Sequence, residues 1–243
     1  MPAIPPSTEV SRAMLKSLIA AALAVFLSLM PGFAMAKDKD KDKNAEAALP
    51  ARVYAQVDFD PTHDPDNILY LDLSTGQRVT IRLMPDWAPN HVERIKTLAR
   101  QGFYNGVIFH RVIEDFMAQT GDPTGTGQGN SELPNLNAEF NDMPHVRGTV
   151  SMARATDVNS ANSQFFIVFY PRFALDRKYT NFGRVIANMQ AVDAIQRGEP
   201  PENPTKILQA SIGSDGKAPP AYAPPAAPAA EISPDMLSNS PSN

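Results

Sequence analysis

The stretch that decides the fold is F-H-R-V-I-E-D-F-M-A-Q-T-G-D, which occupies residues 109–122. Its first five residues have the aromatic and β-branched content of a strand, and Glu114 with Asp115 marks a turn before extended structure resumes. Arg111 would therefore share a surface with the phenylalanine, methionine and glutamine that follow the turn. Composition leaves two alternatives equally open: a half-buried hairpin with a solvated arginine, or a cation that acts beside these side chains.

Short strand patterns lie on both sides of this stretch. The hydrophobic period predicts further strands at 53–59, 68–73, 79–83, 149–152, 164–169 and 182–186. A helix is predicted at 89–101, where apolar residues recur at helical spacing before Gly102, and a second short helix begins near Met189. Many short strands with only two helices favour a mainly β fold, a closed antiparallel β-barrel, over alternating βαβ units.

Composition limits the functions that the chain can have. The 243 residues are 43% hydrophobic and 20% charged, which suits one ordinary folded domain. A formal net charge of −4, without a stripe of lysine or arginine, argues against nucleic-acid binding. The absence of cysteine excludes disulfides, thiolate nucleophiles and zinc–thiolate sites.

Residues 1–36 have the pattern of an export signal peptide. Two basic residues precede an apolar run at 18–30, and Ala34 and Ala36 are the small residues that leader cleavage requires. The sequence predicts cleavage after Ala36, and translation from Met14 would give a more compact leader. An uncleaved membrane anchor is the alternative, but the run is shorter than the roughly 20 residues that cross a bilayer.

Low-complexity segments flank the folded part. K-D-K-D-K-D-K at 37–43 opens a charged disordered tether at 37–51, because alternating opposite charges without apolar residues bury no surface. Residues 214–243 contain a Pro/Ala tract and form a predicted disordered tail. The folded domain is therefore predicted at 52–213.

Several possible motifs carry no predicted chemistry. The glycine-rich segment 121–129 lacks the Gly-Lys-Ser/Thr end of a phosphate loop, so a mobile surface loop is favoured. Neither Ser151 nor Ser163 lies in a nucleophile elbow. No metal site is predicted, because the four histidines are scattered along the chain, at His63, His91, His110 and His145.

Four blocks follow one another along the chain. They are F-H-R-V-I-x-x-F-M-x-Q-x-G-D at 109–122, G-T-V-S-M-A at 148–153, S-Q-F-F-I at 163–167 and L-D-x-K-Y-x-x-F-G at 175–183. These blocks resemble the signature blocks of the cyclophilins, which are peptidyl-prolyl cis-trans isomerases. The resemblance is collinear over residues 67–213, and it implies a closed eight-stranded antiparallel β-barrel with a helix at each end and an active face on the outside.

The resemblance also implies a substrate site. Arg111 and Gln119 are the implied catalytic residues, and Arg111 is the one that acts on the amide. The implied substrate-binding residues are Phe116, Met117, Ala153, Arg154, Gln164, Phe166, Leu175 and Tyr179. By the two-residue period of a strand, Gln164 and Phe166 share the active face while Phe165 packs into the barrel. No metal and no cofactor is implied.

The chain departs from the family pattern at several positions. Arg154 replaces the usual asparagine, and Tyr179 stands where many members have histidine. Ala174 takes the place of a tryptophan, and the neighbouring Phe173 would supply a ring only if the local turn rotates. Loss of the indole predicts weak binding of cyclosporin-type ligands.

The implied reaction needs no nucleophile. Amide resonance opposes rotation about an X-Pro bond with a barrier of about 18–20 kcal/mol. Twisting removes the conjugation of the proline nitrogen, whose lone pair can then accept a hydrogen bond from a guanidinium that stays protonated. Arg111 is the residue expected to stabilise the twisted amide in this way.

Leader and resemblance together predict an isomerase that assists the folding of exported, proline-containing polypeptides, in the periplasm or outside the cell. An alternative is a binding module or holdase that recognises proline-bearing segments without accelerating their isomerisation. Arg154 and Ala174 favour that alternative. A third possibility is a membrane-tethered form that keeps its leader.

Overall fold

The structure is a computed structural model that describes residues 53–222. The predicted leader, the predicted tether and the part of the predicted tail beyond residue 222 lie outside the described residues. Within 53–222, no helix is both long enough and apolar enough to span a membrane. Regular structure begins at Pro65 and ends at Asp215.

Eight strands and two α-helices form the described part of the chain. The strands are β1 (Ile68–Leu73), β2 (Arg78–Leu83), β3 (Arg111–Ile113), β4 (Met117–Thr120), β5 (Thr149–Met152), β6 (Phe165–Val168), β7 (Asn181–Ala187) and β8 (Ile207–Ile212). The helices are α1 (Pro89–Arg100) and α2 (Met189–Asp193). Short 3-10 turns occur at Pro65–Asn67, Phe173–Leu175 and Gly213–Asp215.

All eight strands join one antiparallel sheet in the order β3-β4-β6-β5-β7-β2-β1-β8. The mainly β, eight-stranded prediction is confirmed, but the closed barrel is wrong, because the edge strands β3 and β8 do not pair with each other. β3 has only three residues, and the outer edge of Val112 is occupied by Gly198 from a loop. The sheet therefore forms a half-barrel, with isolated backbone bonds such as Phe109 N–H to Thr205 O, at 2.9 Å, across the gap.

The two helices pack against different strands and are not specifically caps at the ends of a barrel. α1 lies against β7 and β8, and α2 lies against β2. Pro89 occupies the first position of α1, where the missing N–H costs no helical hydrogen bond. The carboxylate of Glu139 accepts the backbone N–H groups of Asn90 and His91, each at 3.1 Å, and so caps the helix from a distant loop.

The predicted strand at 53–59 is wrong, and the strand that sequence periodicity missed is β8. Residues 53–59 form no strand, and both edges of β1 are paired, one with β2 and the other with β8. The segment is held by side chains instead. Buried Arg82 donates hydrogen bonds to three of the backbone carbonyls between residues 58 and 64, and the Trp87 indole donates to Ala55 O at 3.0 Å.

Strand β6 separates the core from a second apolar cluster. Phe165 lies in the core, where its ring contacts Tyr104 and Phe182 edge-on, with ring centroids 5.5 and 6.2 Å apart. Phe166 points to the opposite face and packs in a smaller cluster with Met117. The two-residue period of the strand therefore predicted the side of each ring correctly.

Candidate active site

Nine of the ten candidate side chains line one pocket on the face of the sheet opposite the core. The pocket has a volume of about 140 Å³, and its lining residues are Arg111, Phe116, Met117, Gln119, Ala153, Arg154, Phe166, Leu175 and Tyr179. Pockets for drug-sized ligands hold roughly 300–1,000 Å³, so this one suits a single small ring. Gln164 is the exception and lies in an adjoining groove of about 450 Å³.

Strand register explains why distant residues meet in this pocket. Arg111 on β3 lies directly opposite Gln119 on β4, which in turn lies opposite Phe166 on β6. Residues directly opposite one another on adjacent strands project from the same face of a sheet. One row across three strands therefore brings a cation, an amide and an aromatic ring to one wall.

The base of the pocket is apolar and nearly closed to solvent. Met117 is 1% exposed and Phe166 is 4% exposed. Leu175 and Tyr179 pack against them, and the rings of Phe166 and Tyr179 meet edge-on with centroids 5.8 Å apart. An apolar wall of this kind excludes water from whatever ring occupies the pocket.

Arg111 is half-exposed and forms an ion pair that the sequence did not predict. Its Nε donates to Oε2 of Glu199 at 2.7 Å. The acidic residue nearest to it in sequence, Glu114, pairs with Arg197 instead, at 2.9 Å. Glu199 lies in the loop between α2 and β8, and no local sequence pattern marks it as a partner of Arg111.

Two glutamines connect the pocket to the glycine-rich loop. Gln119 Nε2 donates to Gln164 Oε1 at 2.9 Å. Gln164 Nε2 then donates to the backbone carbonyls of Gly127 and Gly129, at 3.1 and 2.8 Å. Gln164 therefore holds Gln119 and the loop in place from beside the pocket.

The glycine-rich loop is organised around one buried carboxylate, that of Asp122. The hydroxyl and backbone N–H of Thr124 each donate to it at 2.7 Å, and the N–H of Gly127 donates at 2.6 Å. Burial alone would raise the pKa of Asp122, but these hydrogen bonds outweigh it and lower the pKa to about 2. The loop predicted as mobile is thus anchored by a charged group at neutral pH.

Arg154 forms part of the rim of the pocket. Its guanidinium lies 4.7 Å from the centroid of the Tyr179 ring, and its Nε and Nη2 donate to Lys178 O at 3.1 and 3.0 Å. Its Nη1 donates to two further carbonyls, those of Ala155 and Thr156. The arginine that replaces the usual asparagine therefore ties the two sides of the rim together.

A hydrogen-bonded chain of three side chains, of which His145 and Ser151 are buried, lies behind Phe166. The Nδ1 of His145 forms a hydrogen bond with Asp176 Oδ1, and its Nε2 forms one with Ser151 Oγ, both at 2.8 Å. The imidazole ring stacks on Phe166, with ring centroids 6.4 Å apart. The order resembles a Ser-His-Asp triad, but Ser151 is fully buried and out of reach of a substrate. Burial lowers the pKa of His145, although the hydrogen bond with Asp176 acts in the opposite direction. The lowered pKa favours the neutral imidazole.

The ring that could replace the missing tryptophan is not in the pocket. Phe173 precedes Ala174 in the 3-10 turn Phe173–Leu175 and is 63% exposed. It is absent from the residues that line the pocket. Phe173 therefore does not supply the missing ring, and weak binding of cyclosporin-type ligands stays a prediction.

Sequence comparisons match this chain to isomerases of one family. Residues 70–212 match the profile of the family described as cyclophilin type peptidyl-prolyl cis-trans isomerase/CLD. A Brucella suis protein named "Probable peptidyl-prolyl cis-trans isomerase" is 46% identical over 189 residues, which cover 71% of this chain and 96% of the relative. An Aspergillus fumigatus "Peptidyl-prolyl cis-trans isomerase-like 1" is 38% identical, over 60% of this chain and 94% of the relative.

Solved structures agree with the sequence matches. A crystal structure of a cyclophilin from Hirschia baltica is 32% identical with a TM-score of 0.59, covering 65% of this chain and 78% of that chain. A cyclophilin-type isomerase from Cryptosporidium parvum, crystallised in the presence of the dipeptide Ala-Pro, is 26% identical with a TM-score of 0.56. It covers 60% of this chain and 98% of that chain.

Proposed function

The chain belongs to the cyclophilin-type peptidyl-prolyl cis-trans isomerases, and on that premise we propose that Arg111 stabilises the twisted X-Pro amide of a substrate bound in the pocket. The row formed by Arg111, Gln119 and Phe166 is the observation that carries the proposal. It supplies a hydrogen-bond donor, a polar grip and an apolar wall within one small site. The substrates we propose are proline-containing segments of exported polypeptides, whose folding the enzyme assists.

The apolar wall would contact the pyrrolidine ring of the substrate proline and exclude water from the site. Met117 and Phe166 line the pocket and pack with Leu175 and Tyr179 in one apolar cluster, so a ring placed there would lie against apolar atoms on that side. A hydrogen bond from Arg111 is worth more in such an environment than in bulk water. The barrier to X-Pro rotation is about 18–20 kcal/mol, and each 1.36 kcal/mol of selective stabilisation speeds the rotation about tenfold.

Arg111 would act only when the amide is twisted. In the planar state the nitrogen lone pair is delocalised and accepts a hydrogen bond poorly, whereas in the twisted state the lone pair is available. A donor that meets this nitrogen therefore lowers the barrier without stabilising the ground state equally. No covalent intermediate is needed, and the guanidinium keeps its proton throughout.

The polar side chains would hold the peptide while one end rotates. The backbone N–H of Ala153 already donates to Gln164 O at 2.9 Å, so a substrate contact at this residue would use its carbonyl. Gln119 is oriented by Gln164 and faces the same pocket. Crystallisation of the Cryptosporidium parvum protein in the presence of the dipeptide Ala-Pro supports small proline-containing ligands as the substrate class proposed here.

The direct test is isomerase activity of the chain from Lys37 to Asn243. We expect NMR exchange spectroscopy on a short X-Pro peptide to show faster cis-trans exchange at catalytic enzyme concentration. An unrelated protein at the same concentration serves as the control and should leave the exchange rate unchanged. Peptide binding without any acceleration would favour the binding-module alternative over the catalytic proposal.

We also propose that the leader directs export and is then removed, which would place the enzyme in the periplasm or outside the cell. Intact-mass analysis and N-terminal sequencing of protein from the cell envelope should show a chain that begins at Lys37. Ala36→Tyr should block processing, because the cleavage site requires a small residue. Unprocessed wild-type protein that pellets with membranes would instead support the anchored alternative.

A further inference from the structure

Three consecutive residues of the loop between α2 and β8 contact the hairpin formed by β3 and β4, and we name residues 197–199 the clasp. Gly198 and Val112 exchange two backbone hydrogen bonds, at 2.8 and 2.9 Å. Arg197 Nε donates to Glu114 Oε2 at 2.9 Å. These two contacts fix the clasp along the outer edge of β3.

The third contact of the clasp reaches the proposed catalytic group. Glu199 follows Gly198 directly, and Gly198 is paired with Val112, the neighbour of Arg111 in β3. This pairing places the Glu199 carboxylate beside Arg111, whose Nε donates to it at 2.7 Å. The backbone pairing of Val112 with Gly198 therefore holds the main chain on both sides of this ion pair.

Engagement of Nε has a specific consequence for a planar group. The guanidinium donates from one Nε and from two terminal nitrogens arranged in a fixed fork. A carboxylate that holds Nε restricts the plane and the rotamers of the whole group, and it leaves the terminal nitrogens for the pocket that Arg111 lines. The side chain of Arg111 then loses its rotamer freedom before a substrate binds, and not during binding.

We propose that Glu199 is a positioning residue, which holds the guanidinium of Arg111 in the orientation that meets the twisted amide. The proposal rests on the role of Arg111 stated above and adds a residue from outside the signature blocks. Glu199 itself need not touch the substrate. Its removal should therefore change the rate of the bound complex more than the binding of the peptide.

The kinetic test compares Glu199 with Glu114, whose carboxylate forms the neighbouring ion pair of the clasp. We expect Glu199→Ala to lower kcat about three- to fivefold with little change in KM, in keeping with the modest strength of a half-exposed ion pair. Glu199→Gln keeps an oxygen acceptor and should recover part of the loss. Glu114→Gln should keep kcat close to that of the wild type.

A spectroscopic readout reports the contact without relying on activity. The Nε–H resonance of Arg111, identified by its absence in Arg111→Lys, should exchange slowly with water in the wild type and in Glu114→Gln. It should exchange quickly in Glu199→Ala. Unchanged exchange of this proton in Glu199→Ala would overturn the proposal, as would equal losses of kcat in Glu199→Ala and Glu114→Gln, which would indicate a loosened hairpin.

The failure of this proposal can be told apart from a failure of the mechanism. If Arg111→Ala is inactive while Glu199→Ala keeps the wild-type kcat, Arg111 acts without help from Glu199 and only the positioning role is rejected. If Arg111→Ala is fully active, the mechanism is rejected first and the positioning role with it.

Discussion

Arg111→Ala is expected to lower kcat/KM for an X-Pro peptide by about 10²–10³-fold, the loss that follows removal of one donor to a transition state. Among the described residues that line the pocket, the other cation is Arg154, and its guanidinium already donates to the carbonyls of three residues. No second arginine there is free to replace the lost donor. NMR exchange on the peptide measures the effect.

Two further variants accompany Arg111→Ala: one keeps the positive charge without the guanidinium, and the other is a matched control. Arg111→Lys keeps a cation but loses the planar fork, and it should recover only a small part of the activity. Arg147→Ala is the matched control, because Arg147 is 43% exposed against 41% for Arg111 and is likewise ion-paired, to Asp193 at 2.6 Å. It should retain nearly full activity. If Arg111→Ala kept more than about a third of wild-type activity, its loss would be far smaller than expected and the mechanism would be excluded.

Gly121→Ala is expected to cost roughly 2–6 kcal/mol of unfolding free energy, the largest stability effect that we predict. Gly121 has φ +89°, and a Cβ there would lie 2.4 Å from Ser163 O and 2.8 Å from Gln164 Cα. Strained backbone costs about 1–3 kcal/mol and overpacking about 1–3 kcal/mol more. Urea-induced unfolding measures the change, and many domains have only about 5–15 kcal/mol to lose.

Gly106→Ala separates the two contributions. Gly106 has nearly the same φ, +84°, but a Cβ there would meet no atom within 4 Å. Its cost should be the strain alone, about 1–3 kcal/mol. If the two alanine variants were equally stable, the close approach of Gly121 to the backbone before β6 would have no energetic weight.

Local patterns predicted most strands, and their two errors, one false strand and one missed strand, show what they lack. Residues 53–59 alternate as a strand should, whereas β8 has no clean alternation and was missed. Which segment pairs with β1 depends on the available edge, and β8 takes it. Periodicity describes one segment at a time, so it cannot decide between two candidates for the same edge.

The candidate site divides in a similar way. Arg111 and Gln119 could be placed together because a tight hairpin fixes their register, and the period of β6 assigned Phe166 to the same face. The role of Glu199 could not be predicted, because it lies 88 residues from Arg111 in the sequence and belongs to no recognisable motif. The rim contacts of Arg154 were equally hidden, since they use backbone carbonyls that any residue type provides.

The partner of Arg111 comes from a connecting loop and not from the sheet. Loops tolerate substitution and changes of length better than strands that share a core. Under the positioning role proposed for Glu199, substitutions at this exposed loop residue would change the catalytic rate while every core side chain of the half-barrel stays as it is. At this one position, the rate and the stability of the enzyme could then vary independently.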